Sequence, residues 1–75
     1  MGRARQITQK QRKEEARRLY KLRDGFGWNK SQLATEWYCN HSSISEWESG
    51  KRAIPGLAIK LLEIYEKKLE RFLGE

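Results

Sequence analysis

The 75-residue chain has one cysteine, one proline, one histidine and no long apolar run. Cys39 alone can close no disulfide within the chain, which points to a reducing compartment. A lone cysteine at an apolar turn position reads as a small core residue rather than a redox sensor. His41 has no second histidine to join it, so the chain assembles no His/Cys tetrahedral metal site, and no cofactor is expected. No stretch approaches the ~20 apolar residues of a membrane span, and the charged start Met-Gly-Arg-Ala-Arg-Gln is not followed by a signal-peptide core. The expectation is a cytoplasmic protein without a membrane partner. A glycine-rich phosphate loop and a supported nucleophile are also missing, so an enzyme is not expected.

What the chain does have is positive charge. Sixteen Lys and Arg against ten Asp and Glu leave +6, which suits a polyanionic partner. The charge is lopsided: residues 1 to 23 hold nine basic and two acidic side chains, while the remainder is close to balanced. Eight aromatic residues, three of them tryptophan, are available to fill an interior. A chain this short buries only ~60% of the surface its unfolded form exposes, so the core must be compact.

Capping residues and apolar spacing divide the chain into an all-α, four-helix domain with a central helix-turn-helix. Residues 1–7 read as a flexible basic arm and 8–75 as the folded domain. Thr8 and Gln11 form a capping box for a first helix that ends near Asp24, with Gly25 as a left-handed stop and Ala16, Leu19, Tyr20 and Arg23 in its stripe. Asn29 caps a second helix from Lys30 to about Trp37, with Leu33, Ala34 and Trp37 inward. Asn40 caps a third, in which Ile44, Trp47 and Glu48 share one face, and Gly50 ends it. Pro55 precedes a fourth helix from about Gly56 to Phe72 whose apolar stripe includes Leu57, Leu61, Leu62, Tyr65, Leu69, Phe72 and Leu73.

Asn29 to Arg52 carries the functional signal. Two short capped helices a few residues apart describe a helix-turn-helix. Leu33-Ala34 in the first and the serine-rich second helix ending Glu48-Ser49-Gly50-Lys51-Arg52 resemble the phage repressor and Cro-like family. The resemblance spans roughly residues 19 to 62. It implies packing roles for Ala34, Ile44 and Trp47, and it puts Lys30 where the family has a glutamine that touches phosphate and braces a base-reading side chain. It also implies an ion pair between Arg23 and Glu48, and it places His41, Ser42, Ser45 and Glu46 on the face that reads base edges. Three departures stand out: Tyr38 sits at the turn position where the family has glycine, Lys30 replaces the glutamine, and Trp37 and Trp47 replace aliphatics.

The chemistry of these residues suits the assignment. Histidine can donate to a purine acceptor, serine can meet either class of base, and a glutamate can accept from the amino group of cytosine. Asn29, Asn40 and Ser43 at helix N-termini, with Lys51 and Arg52 in the loop, are candidates for phosphate. Arg3 and Arg5 in the arm are candidates for the minor groove. The basic residues of helix one read mostly as a solvated face.

The expected function is a sequence-specific, double-stranded-DNA-binding transcriptional regulator, a repressor, acting as a homodimer through Tyr65, Leu69, Phe72 and Leu73. The competing reading of that stripe is packing against helix one in the same chain. The alternative function is an antitoxin-like protein-interaction module with a second protein partner. A third is RNA binding or unspecific coating, which the charge alone would allow.

Overall fold

The computed structural model describes residues 7–74. They form four helices, α1 (Gln9–Phe26), α2 (Lys30–Glu36), α3 (His41–Glu48) and α4 (Gly56–Gly74), with no strand among the described residues. None of the helices is long and apolar enough to cross a membrane. Arg3 and Arg5, the minor-groove candidates, lie outside the described residues.

Local chemistry sets the helix starts. At α1 the Gln11 amide donates to Thr8 Oγ1 at 3.1 Å and the Thr8 amide to Gln11 Oε1 at 3.0 Å, satisfying two donors that a helix start leaves unpaired. The same reciprocal box forms at α2 between Asn29 and Gln32, both bonds at 2.8 Å. Asn40 departs from expectation, because its side chain makes no capping bond and α3 starts on the Asn40 carbonyl alone.

The helix ends share one geometry. After α1 the Trp28 amide donates to the Arg23 carbonyl and the Gly27 amide to the Asp24 carbonyl, both at 3.0 Å, with Gly27 at φ 74. Cys39 and Tyr38 repeat this after α2, donating to Ala34 and Thr35, and Lys51 and Gly50 repeat it after α3, donating to Glu46 and Trp47. Each pattern needs one left-handed residue. Gly27 and Gly50 adopt that conformation without strain, whereas Tyr38 adopts φ 54 against a cost of ~1–2 kcal/mol. Its side chain is 97% exposed, so no packing compensates.

The stop of α1 is therefore Gly27, two residues beyond the expected Gly25. Gly25 lies within α1 where α4 crosses it: a Cβ there would lie 2.6 Å from Leu69 Cδ2, and that side chain would have to shift. Residue 25 is thus a point of close approach to α4, where a side chain would displace Leu69, rather than the turn itself.

The core joins Leu19 and Leu22 of α1, Leu33, Ala34 and Trp37 around α2, Ile44 and Trp47 of α3, Ile54 of the loop, and Ala58 and Leu62 of α4. Removing each of these apolar side chains from water contributes ~1.5–3 kcal/mol for the larger ones. Tyr20 and Leu57, expected in the stripes, stand outside the core; Leu22 and Ile54 fill it instead. Tyr20 lies on the edge of the stripe and its ring instead sits 5.3 Å from the Arg23 guanidinium.

The four-residue dimer stripe proposed for α4 divides in two. Tyr65 packs edge-on against Phe26 and Trp28, with ring centroids 6.2 and 6.1 Å away, and its hydroxyl donates to Glu36 Oε1 at 3.3 Å. Leu69 packs over Gly25. Both are held within the chain, whereas Phe72 and Leu73 are exposed in the last turn.

Candidate nucleic-acid interface

α3 has two sides with different tasks. On its inner side Ile44 and Trp47 are buried in the core, which fixes how the helix sits on α1 and α2. On the same side Glu48 receives two hydrogen bonds from Arg23, Nε to Oε2 at 2.7 Å and Nη2 to Oε1 at 3.1 Å. Arg23 also donates through Nη1 to the Trp28 carbonyl at 3.1 Å, so one guanidinium ties α3 to α1 and to the α1–α2 turn. The pair is mostly buried, with 15% and 8% of the side chains exposed. The Glu48 hydrogen bond and charge hold the Arg23 pKa above its already high ordinary value, so the cation persists at every accessible pH.

The outer side carries the base-reading candidates. His41 and Ser42 are exposed at the first turn, while Ser45 and Glu46 are half-buried one turn on. Each of the latter two is held by a cation from a neighbouring element. Lys30 Nζ donates to Ser45 Oγ at 3.2 Å, and Arg52 Nη1 donates to Glu46 Oε1 at 3.1 Å. The face thus combines two open polar side chains with two restrained ones, projecting from a helix whose other side is anchored by packing.

The candidate phosphate ligands fall into groups that the sequence did not separate. Lys51 and Asn40 are exposed, and Ser43 is half-buried in the first turn of α3. Asn29 is engaged as the cap of α2 through its side-chain oxygen, Lys30 is bonded to Ser45, and Arg52 to Glu46. Arg52 is a phosphate candidate in the sequence. Its guanidinium is brought to the outer side of α3, because the backward turn at Gly50 closes the six-residue separation.

Three features lie outside the expected set, with sequence signals of different strength. Gln32 completes the α2 cap and was readable from its spacing of three from Asn29. Lys13 and Arg17, one helical turn apart, line a shallow depression with Ser49 and Gly50, so the basic face of α1 adjoins the end of α3. Arg18 makes a two-pronged bond to Glu66 of α4 at 3.0 and 2.7 Å. Nothing local marks that pair, whose members are 48 positions apart. No group of metal-ligating side chains occurs among the described residues. No protein-family model matches the chain, and no curated protein or solved structure is significantly similar to it.

Proposed function

We propose that this protein is a sequence-specific regulator that binds double-stranded DNA by laying the outer side of α3 in the major groove, as a phage repressor or Cro-like helix-turn-helix does. One observation carries the reading: His41, Ser42, Ser45 and Glu46 stand together on the side of α3 opposite the buried Ile44 and Trp47. A polar helix face held rigidly by packing beneath it is what base-edge readout requires. The Lys30–Ser45 bond has the form of the brace that the resemblance implies, with an ammonium in place of an amide. Lys51, Asn40, Lys13 and Arg17 surround the face with groups suited to phosphate, in keeping with the net charge of +6.

An eight-residue recognition helix spans few base pairs, so two copies are the economical arrangement, with α3 helices ~34 Å apart on successive major grooves. Because Tyr65 and Leu69 are engaged within the chain, Phe72 and Leu73 are the part of the expected dimer stripe left for a second copy.

Selection from a random duplex pool, followed by titration of the selected site, tests the proposal. Glu46→Ala is expected to flatten the preference at one base pair by ~1–3 kcal/mol. Equal affinity of the native chain for selected duplex, random duplex, single strands and hairpin RNA contradicts sequence-specific duplex recognition.

The second reading, an antitoxin-like module, has its own supporting observation. Leu57 is 82% exposed beside an apolar depression lined by Trp37, Cys39, Trp47, Pro55, Ala58 and Leu61. Stoichiometric co-purification with a second small protein, abolished by Leu57→Lys while duplex binding persists, favours that reading.

A further inference from the structure

Glu46 is the one acidic residue among the four outward side chains of α3, and its carboxylate has a built partner. The amides of Lys51 and Arg52 both donate to the Glu46 carbonyl, at 3.0 and 3.3 Å, and the Ser49 hydroxyl donates to the same oxygen at 3.0 Å. Gly50, at φ 78, provides the reversal that permits these bonds. The loop is therefore fastened to the residue whose side chain Arg52 meets. Such an exposed pair contributes little to stability, so folding does not account for it.

We propose that Arg52 is a positioning residue for base recognition and acts through Glu46. This inference rests on the DNA reading above. A bare carboxylate entering a groove between phosphates is repelled over a distance of ~10 Å at ordinary salt. Paired with Arg52, the same carboxylate enters without net charge. The guanidinium holds Oε1, which leaves Oε2 to accept from an exocyclic amino group, the N4 amino of cytosine being the fitting donor. Arg52 thus fixes the carboxylate that sets base preference, whereas Lys51, exposed beside it, supplies charge.

The test measures affinity for the selected duplex with each base pair changed in turn. Glu46→Ala and Arg52→Ala are expected to flatten the preference at the same base pair, each by ~5- to 150-fold, and the double variant is expected to match Glu46→Ala. Arg52→Lys keeps the charge without the planar fork and retains part of the preference. Lys51→Ala lowers affinity for every sequence evenly. A second readout needs no DNA: nitrogen-resolved NMR of the Arg52 guanidinium is expected to show restricted rotation that Glu46→Ala releases. If Arg52→Ala weakens all duplexes evenly with the base preference intact, or if the guanidinium signals ignore Glu46→Ala, the positioning role is overturned while the DNA reading stands. A native chain that selects no duplex overturns both.

Discussion

Two arginine–glutamate pairs flank α3, with their glutamates only two residues apart, and burial separates their roles. Arg23 and Glu48 lie underneath, with 15% and 8% of the side chains exposed, in a two-pronged bond that also ties in the Trp28 carbonyl. Arg52 and Glu46 lie on top, 68% and 36% exposed, joined by one bond at 3.1 Å. The lower pair has lost most of its water, so removing either partner strands a charge. The upper pair keeps its water and can exchange partners at little cost. Identical chemistry therefore makes scaffold on one side of the helix and an adaptable surface on the other.

The sharpest way to break this contrast is to cut both pairs. Arg23→Ala is expected to cost ~3 kcal/mol or more, which in a domain of this size lowers Tm by at least ~12 °C. Arg52→Ala is expected to leave Tm within ~3 °C, in line with a surface pair. Thermal unfolding followed by circular dichroism decides it, and equal losses would erase the distinction.

A second pair of variants probes the helix ends, where three like geometries carry two glycines and one tyrosine. Gly50→Ala is expected to cost ~1 kcal/mol from backbone strain alone, since the added Cβ meets only Lys13 Cγ at an ordinary 3.9 Å. Tyr38→Gly is expected to stabilise by up to ~1 kcal/mol, the exposed ring having no packing to lose. Opposite signs in denaturant midpoints support the common geometry. Matching signs would contradict it.

Most of the scaffold was readable because its signals are local. Thr8 with Gln11, Asn29, Gly50 and Pro55 announce helix boundaries through bonds that span three to five residues, and the four-helix order follows from them. Gly25 misled because a glycine under a crossing helix looks the same in sequence as one required by a turn. Tyr65 and Leu69 lie on an apolar stripe that would serve a second chain or α1 equally well, and only the fold sets Leu69 against α1 and Tyr65 against the end of α1, Trp28 and α2. In the candidate site, the four outward residues of α3 follow from helical periodicity. The clamps on Ser45 and Glu46 do not, because Lys30 and Arg52 reach them from other elements.

Arg18 and Glu66 extend the comparison to intermediate exposure, at 40% and 35%. Arg18→Ala is expected to cost ~0.5 kcal/mol at low salt, after allowance for solvent screening, and almost nothing in 1 M NaCl. Unfolding at the two salt concentrations measures the difference. A salt-independent loss would mean that packing of the arginine stem, rather than charge, links α1 to α4.

The smallest effect concerns alkaline pH. Burial raises the Cys39 thiol above its ordinary pKa. The unfolded chain then releases this proton first as pH rises, so stability is full below the ordinary thiol range and declines as pH climbs through it. Cys39→Ala is expected to remove that part of the decline, checked by denaturation midpoints between pH 7 and pH 10. An unchanged decline would assign it to other groups.

The claim on which the account depends is that α3 turns a reading surface outward. Selection of duplexes by the native chain and by Glu46→Ala, sequenced side by side, tests it directly. The account predicts an enriched half-site for the native chain and the loss of one defined base preference in the variant; identical enrichment from both, or none from either, contradicts it.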